Sequence, residues 1–308
     1  QADTGVADTE LTETSCDICG EREADEISCA SQYTGGKPIH VCRGCGFVYY
    51  RKRRSAEAIA KTWSYELYGA ADGDEKGRGE LDDGAMRAYS ALTPYARARQ
   101  TFVAEMLAQT IGLAGKSVVD IGAGQGQFLD MLRREHGVSA FGIEPSEANC
   151  QRMESLGIDH FAGIIEGYAP PSSQRFDIAA IMWTLENCES CRGMIRAARD
   201  LLKPDGHLVV ATGSRILVPF KKPLNYFFNP HIPQDAHGFY FSHNCLMRLL
   251  TNNGFTVTNV NRYIDSDYLV MIGQKGDASP NEECRGDDPR QVLDFFRRWH
   301  EETKYYLP

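Results

Sequence analysis

Two groups of residues in this sequence have the types and spacing to do chemistry. The first is Asp120-Ile121-Gly122-Ala123-Gly124-Gln125-Gly126, with Glu144 following about 20 residues on. Glycines at alternate positions let a ligand approach the main chain closely, and a helix starting there offers free N–H groups. Glu144 closes the next apolar run, Ala140-Phe141-Gly142-Ile143, and an acid at that distance can accept hydrogen bonds from both hydroxyls of a ribose. A dinucleotide fingerprint would need its third glycine at 127, where the residue is Gln127. Asp120, two residues before the first glycine, suits a ligand carrying an amine rather than a pyrophosphate. The bland alternative is a glycine-rich turn that holds nothing. The second group is Cys16-Asp17-Ile18-Cys19-Gly20 with Cys42-Arg43-Gly44-Cys45-Gly46, two C-x-x-C knuckles separated by 22 residues. Two thiolates from each would surround a tetrahedral Zn²⁺, and the glycines would turn main-chain N–H groups toward the sulfurs. Four unrelated buried or disulfide-bonded cysteines are the alternative.

The elements that must position these residues follow from periodicity. Strands are expected at 117–121, 139–143, 158–162, 176–182 and 206–212, with helices between them at 126–136, 146–156 and 190–202. Such alternation means a parallel, doubly wound sheet. Before it, 55–61 reads as a short helix and 85–112 as an amphipathic one carrying Phe102, Met106, Leu107 and Ile111 on one face. After it come a helix at 243–253 and an apparent hairpin, 255–261 with 268–274. An amphipathic segment, 291–305, reads as a docked helix. The bulk numbers agree with an ordinary globular chain: 308 residues, 42% hydrophobic and 24% charged. A net charge of −9 argues against nucleic acid or an anionic membrane as partner. Ten cysteines without a secretory leader point to metal ligands and reduced thiols, and to a cytoplasmic protein.

The turn Asp120-Ile121-Gly122-Ala123-Gly124-Gln125-Gly126 resembles that of the class I S-adenosylmethionine (SAM) methyltransferases, and the parallel sheet closed by a hairpin is similar to their seven-stranded Rossmann-like fold. With the cysteine knuckles, the layout resembles bacterial methyltransferases that carry an N-terminal zinc ribbon, including the sugar C-methyltransferases of antibiotic and polysaccharide pathways. The resemblance implies that SAM is held by Asp120, Gly122, Gly124, Gly126, Glu144 and Pro145, with Ile164 or Ile165 against the adenine and Trp183 in the wall beside the methyl group. It implies a structural Zn²⁺ on Cys16, Cys19, Cys42 and Cys45. The stretch Gln234-Asp235-Ala236-His237-Gly238-Phe239-Tyr240-Phe241-Ser242 matches the segment that supplies that sugar family's base, and His237 falls on the base. The family's preceding Tyr, His and Glu are replaced here by Gln234, Asp235 and Ala236.

Methyl transfer from a sulfonium is an in-line displacement, so alignment is the protein's main contribution and a base matters only where the acceptor must lose a proton. His237 is either that base or a histidine that hydrogen-bonds within its own loop. The long segment 214–241 carries Lys221, Lys222, Tyr226 and Tyr240, which could hold a phosphorylated or nucleotide-linked sugar, though a lysine pair is commonly just solvated. Tyr65 and Tyr68 are further candidates for the acceptor side. The expected acceptor is a small molecule: a hydroxyl, or a carbon, of a sugar or nucleotide-linked sugar. A zinc adaptor on an inactive fold and an NAD-dependent sugar enzyme are the alternatives. The expected organisation is a disordered tail over 1–14, a zinc-binding module over 15–50 and a connector with a mobile loop over 51–95. The methyltransferase domain then covers 96–275, and a C-terminal loop and helix 276–308.

Overall fold

The computed structural model describes residues 11–62, 83–171, 173–213, 215–219, 223–228, 237–263, 266, 268–276 and 284–306. For 83–93 and Tyr226 it describes the main chain alone. The described residues begin in a small module of short strands: β1 (Thr12–Glu13), β2 (Ala24–Glu26), β3 (His40–Cys42), β4 (Val48–Tyr49) and β5 (Lys52–Arg53). β2, β3 and β4 pair antiparallel in sequence order, and β1 pairs with β5. Thr12 and Glu13 therefore belong to the module, where a disordered tail was expected through residue 14. The pairing is anchored by Thr14, whose N–H donates to the Arg51 carbonyl at 2.8 Å. Helix α1 (Ala56–Lys61) follows, its first turn capped by Ser55 accepting from the Ala58 N–H.

Helix α2 (Asp83–Thr110) leads into the large sheet, so the division expected at residue 95 falls inside one continuous helix. Beyond it run β6 (Ser117–Ile121), α3 (Gln127–His136), β7 (Ser139–Glu144), α4 (Glu147–Ser155) and β8 (Asp159–Ala162). β9 (Phe176–Met182), α5 (Cys191–Leu201) and β10 (Leu202–Thr212) complete the parallel part. The chain then passes through α6 (Leu224–Phe227), β11 (Phe239–Tyr240), α7 (His243–Asn252), β12 (Phe255–Val260), β13 (Leu269–Lys275) and α8 (Pro289–Thr303).

Seven strands form one mixed sheet in the order β12-β13-β10-β9-β6-β7-β8, with β13 antiparallel to both of its neighbours. Both faces are covered, so the central strands are mostly apolar, with polar residues toward their ends, and their apolar residues divide between two cores. Val119, Ile121, Ala179, Ile181, Leu208 and Val210 face α5 and α7. Val118, Ile178, Ala180, Met182, Val209 and Ala211 face α2, α3 and α4. From β6 the chain runs one way to β7 and β8 and the other way to β9 and β10. The crevice beyond the carboxyl ends of β6 and β9 is thus the topological switch point where open sheets bind ligands.

The small module is not a self-contained bead. β11, from the long segment after β10, pairs with β4 as a fourth strand of the module's sheet. The C-terminal helix α8 supplies Val292, Phe296 and Trp299 to a core with Ile27, Tyr33, Ile39, Val41, Phe228 and Tyr240. Cys16, Cys42, Cys45, Phe47 and Phe239 are continuous with the core under α5 and α7. No helix among the described residues is long and apolar enough to cross a membrane.

Candidate functional site

A cavity of about 420 Å³ opens at the switch point. Of the residues expected to hold the donor, all but Gly126 line it. Glu144, at the tip of β7, is 6% exposed. Its Oε2 accepts from the Gly124 N–H at 2.8 Å, and its Oε1 from the Ser146 N–H at 3.0 Å and Asn149 Nδ2 at 3.2 Å. Burial raises the Glu144 pKa, and these donors pull it back. Asp120 is buried at the end of β6, and its Oδ1 has no hydrogen-bond partner. Burial, then the nearby charge of Glu144, pushes its pKa well up. A buried carboxyl oxygen left unpaired beside a cavity is a costly arrangement, and a cationic ligand group would relieve it.

The glycines do different jobs. A Cβ on Gly122 would lie 2.4 Å from Thr184 Oγ1, at a φ of +76°, so only glycine lets the turn pass beneath the loop that follows β9. Gly126 caps α3 with a left-handed backbone, and a Cβ there would strike Met153 Cγ at 2.6 Å. Its role is to bring α4 close, with no face toward the ligand.

The wall after β9 centres on Trp183, which has a φ of +57°, a strained conformation for a bulky residue. Its N–H donates to the Ala211 carbonyl at 2.7 Å, holding the turn against β10. The Arg99 guanidinium lies 4.1 Å over the indole, and Tyr268 packs edge-on at 5.6 Å. Glu186, 1% exposed, accepts from the Gly213 N–H at 3.0 Å, and burial raises its pKa. Ala56, Ile59 and Ala60 of α1 and Ala96, Arg99 and Gln100 of α2 close the cavity from above. Among the described lining residues, the carboxyl groups of Asp120, Glu144, Glu166 and Glu189 face a single guanidinium, that of Arg99. The field inside therefore favours a cation. Sequence reasoning found the helix at 55–61 but not its place in the cavity lining, and it missed Arg99, because an arginine on an amphipathic helix reads as solvated.

Two acceptor-side candidates, His237 and Tyr240, can be placed, and neither lines the cavity. His237 is not among the described lining residues; it sits where β11 enters, and burial pushes its pKa down to about 4. The next residue joins the two parts of the fold: the Gly238 N–H donates to the Glu186 carbonyl at 2.7 Å, and the Gly238 carbonyl accepts from the Tyr50 N–H at 3.0 Å. Tyr240 is buried against Phe227 and Phe228 in the module core, away from the cavity lining. Tyr65, Tyr68 and Lys221 lie outside the described residues, as does the side chain of Tyr226 in α6.

Cys16, Cys19, Cys42 and Cys45 bring four sulfurs within 4.8 Å of one another, with Cys16–Cys45 at 3.6 Å and Cys19–Cys42 at 3.4 Å. A tetrahedral metal with bonds of about 2.3 Å sets its thiolates roughly 3.8 Å apart, so the cluster is preformed to that size. Each knuckle closes on a main-chain bond, Gly20 N–H to Cys16 carbonyl at 2.8 Å and Gly46 N–H to Cys42 carbonyl at 2.9 Å. Asp287 then docks on the second knuckle through its N–H and the Cys45 carbonyl at 2.9 Å. Cys191 opens α5 and Cys188 lies just before it; both are buried thiols.

This geometry agrees with what the chain is similar to. It is 32% identical over 115 residues to the ubiquinone biosynthesis O-methyltransferase of Vibrio atlanticus, covering 36% of this chain and 48% of that protein. It is 31% identical over 140 residues to the one from Coxiella burnetii, covering 42% and 58%. The chain thus spans about half the length of the curated relatives it matches. An O-methyltransferase family protein from Burkholderia thailandensis superposes with a TM-score of 0.50 at 15% identity, over 75% of this chain and 79% of that one. Magnesium protoporphyrin IX methyltransferase from Synechocystis PCC 6803 does so with a TM-score of 0.50 at 14% identity, over 72% and 99%. These two likenesses are of fold. The model of the methyltransferase domain matches residues 95–260, which is more than half the chain and contains the whole glycine turn, Glu144 and the Trp183 wall, so this chain belongs to the methyltransferase domain family.

Proposed function

We propose that this chain transfers a methyl group from SAM to a hydroxyl of a small molecule. The observation that carries the reading is the pair of carboxyl groups at the switch point. Glu144 is held by three donors at the tip of β7, and the unpaired Oδ1 of Asp120 lies beside it in a cavity lined also by Glu166 and Glu189. Bound there, the donor would supply a sulfonium methyl, an electrophile that needs no further activation. Glu144 would take the ribose hydroxyls and Asp120 the amine, while Ile164 and Ile165 offer an apolar face to the base. Trp183, fixed by Arg99 and Tyr268, would exclude water from the reacting end.

The acceptor reading rests on two supports. The relatives named O-methyltransferase favour oxygen as the methylated atom. The likeness of the segment around His237 to the sugar enzymes, together with the zinc-type module, favours a sugar or nucleotide-linked sugar. His237 stays uncharged at neutral pH because burial opposes its protonation; its ring can accept a hydrogen bond from a hydroxyl, but as a base it is weaker than an exposed histidine. The four-cysteine cluster would hold one structural Zn²⁺, making a module with little core of its own cohesive.

Calorimetry of the zinc-loaded protein with S-adenosylhomocysteine tests the donor. Saturable binding is expected; absence of binding, with binding of NAD instead, would reject it. With the true acceptor, unchanged turnover in His237→Ala would remove that residue from the proton path. Metal analysis should give about one zinc per chain, and a metal-free protein that keeps its thermal stability would refute a structural ion.

A further inference from the structure

The metal knuckle and the wall of the donor cavity are joined by one side chain. Asp17 lies between the ligands Cys16 and Cys19, so closing the knuckle on a metal fixes its position. Its Oδ2 accepts from Ser190 Oγ at 2.9 Å and from the Arg192 N–H at 3.3 Å. Its Oδ1 accepts from Arg53 Nη2 at 3.2 Å, in an ion pair whose side chains are 10% and 2% exposed. Arg192 grips the same knuckle by its main chain, donating from Nε to the Asp17 carbonyl at 2.5 Å and from Nη2 to the Cys16 carbonyl at 3.3 Å. Arg53 in turn lies 4.6 Å over the Phe239 ring of β11.

Ser190 is the N-cap of α5, where its Oγ also accepts from the Gly193 N–H at 3.0 Å. The three residues before it, Asn187, Cys188 and Glu189, line the donor cavity. Glu189 Oε2 accepts from the Ala56 N–H at 2.9 Å, and that bond ties down the start of α1, whose Ile59 and Ala60 close the cavity from the other side. A path of hydrogen bonds joined by short stretches of chain therefore runs from the cysteine knuckle to both the wall and the cap of the cavity.

We propose that Asp17 is a positioning residue through which metal in the four-cysteine cluster sets the shape of the donor cavity. The consequence for the donor rests on the SAM reading above; the mechanical link does not. With metal bound, Asp17 holds the start of α5, and segments 187–189 and 56–60 stay closed over the cavity. Without metal the knuckle loosens, Ser190 and Arg192 lose a fixed acceptor, and wall and cap open together.

Hydrogen exchange on the intact chain tests the link without any ligand. Chelating zinc from the wild type should speed exchange at the amides of Ala56 and Gly193 and through α1. Zinc-loaded Asp17→Ala should show the same acceleration while retaining one zinc per chain. Should Asp17→Ala lose its metal or fail to fold, Ser190→Ala removes one bond of the same link from the other side, and exchange is then read at Ala56 and through α1, because Gly193 loses its own acceptor in that variant. Slow exchange there after chelation, or in either zinc-loaded variant, overturns the proposal. The affinity for S-adenosylhomocysteine reads the consequence. Asp17→Ala should weaken it about tenfold, the effect of losing a charged hydrogen-bond acceptor. Chelation should weaken the wild type similarly and add little in the variant. A full further loss on chelating Asp17→Ala means that metal acts by another route, and the proposal falls. If the wild type binds no S-adenosylhomocysteine, the donor reading fails while exchange still decides the link.

Discussion

Replacing Glu144 by glutamine tests the donor site at the atom on which it depends. Both carboxylate oxygens are acceptors already, Oε2 for the Gly124 N–H and Oε1 for Ser146 and Asn149. A glutamine must set its NH2 group against one of the two main-chain donors, because Asn149 alone can rotate to offer an oxygen. One buried N–H is then left unpaired, at a cost of about 1–3 kcal/mol in stability. On the ligand side, the ribose loses a charged acceptor worth roughly 1.5–3 kcal/mol, which corresponds to about a 10- to 150-fold rise in the dissociation constant. Titration calorimetry with S-adenosylhomocysteine measures this, and titration with adenine alone supplies the control, since adenine has no ribose. The expected outcome is a large loss for the first and little change for the second. S-adenosylhomocysteine binding within threefold of wild type in a folded variant would refute the ribose assignment. An equal loss for adenine would mean that the substitution has merely disordered the turn.

Other perturbations have outcomes of known sign. Gly122→Ala should destabilise the fold by about 3 kcal/mol, from the left-handed backbone and the overlap with Thr184, whereas Gly124→Ala, whose Cβ meets nothing within 4 Å, should cost only the backbone part, about 1–2 kcal/mol. Comparable denaturation midpoints for the two would contradict the packing at Thr184. Asp120 carries a pKa raised by burial and by Glu144, and a cationic ligand group should lower it again. SAM binding should therefore release protons, with an enthalpy that depends on the buffer and an affinity that rises with pH; a buffer-independent enthalpy would contradict this. His237 is depressed from 6.5 to about 4, so its contribution to stability is present above pH 6.5 and is lost as pH falls toward 4. That loss amounts to about 2 kcal/mol between pH 7.5 and 5. His237→Gln should flatten this acid limb in urea denaturation, and an unchanged limb would show that the ring is not desolvated in solution.

The large sheet was legible because its strands are buried on both faces and bounded by strong punctuation. β6 and β9 fall at the expected residues, and Glu144 closes β7 as its spacing implied. β10 begins earlier than expected, since Leu202 already pairs with Phe176 and the register then shifts before His207. Lys203-Pro204-Asp205 looks like a turn and is instead an irregularity in a strand, with Asp205 at a φ of +58°. The small module was only half legible. Two knuckles announce the four-cysteine cluster, but β11 is two residues long and has no alternation to read. Its pairing with β4 bridges nearly two hundred positions, and no local signal encodes that. The same holds for Arg99 and Asp17, which declare themselves only by what they touch.

The chain visits the small module three times, and this bears on why a metal would be useful there. The core of Ile27, Ile39, Val41, Leu224, Phe228, Tyr240, Val292 and Phe296 draws on segments from the start, the late middle and the end of the sequence. Closing such long loops costs entropy before any contact is gained, so this core is expected to form late. The four cysteines, by contrast, lie within 30 consecutive residues, and a metal can gather them early. The knuckles would then present β3 and β4 in place for β11 and α8 to dock. Tyr50, Arg53 and Asp17, all carried by that preformed piece, reach across to Gly238, Phe239, Ser190 and Arg192. The α5 side of the donor cavity is therefore assembled on the module, and a ligand that orders the module also orders the cavity.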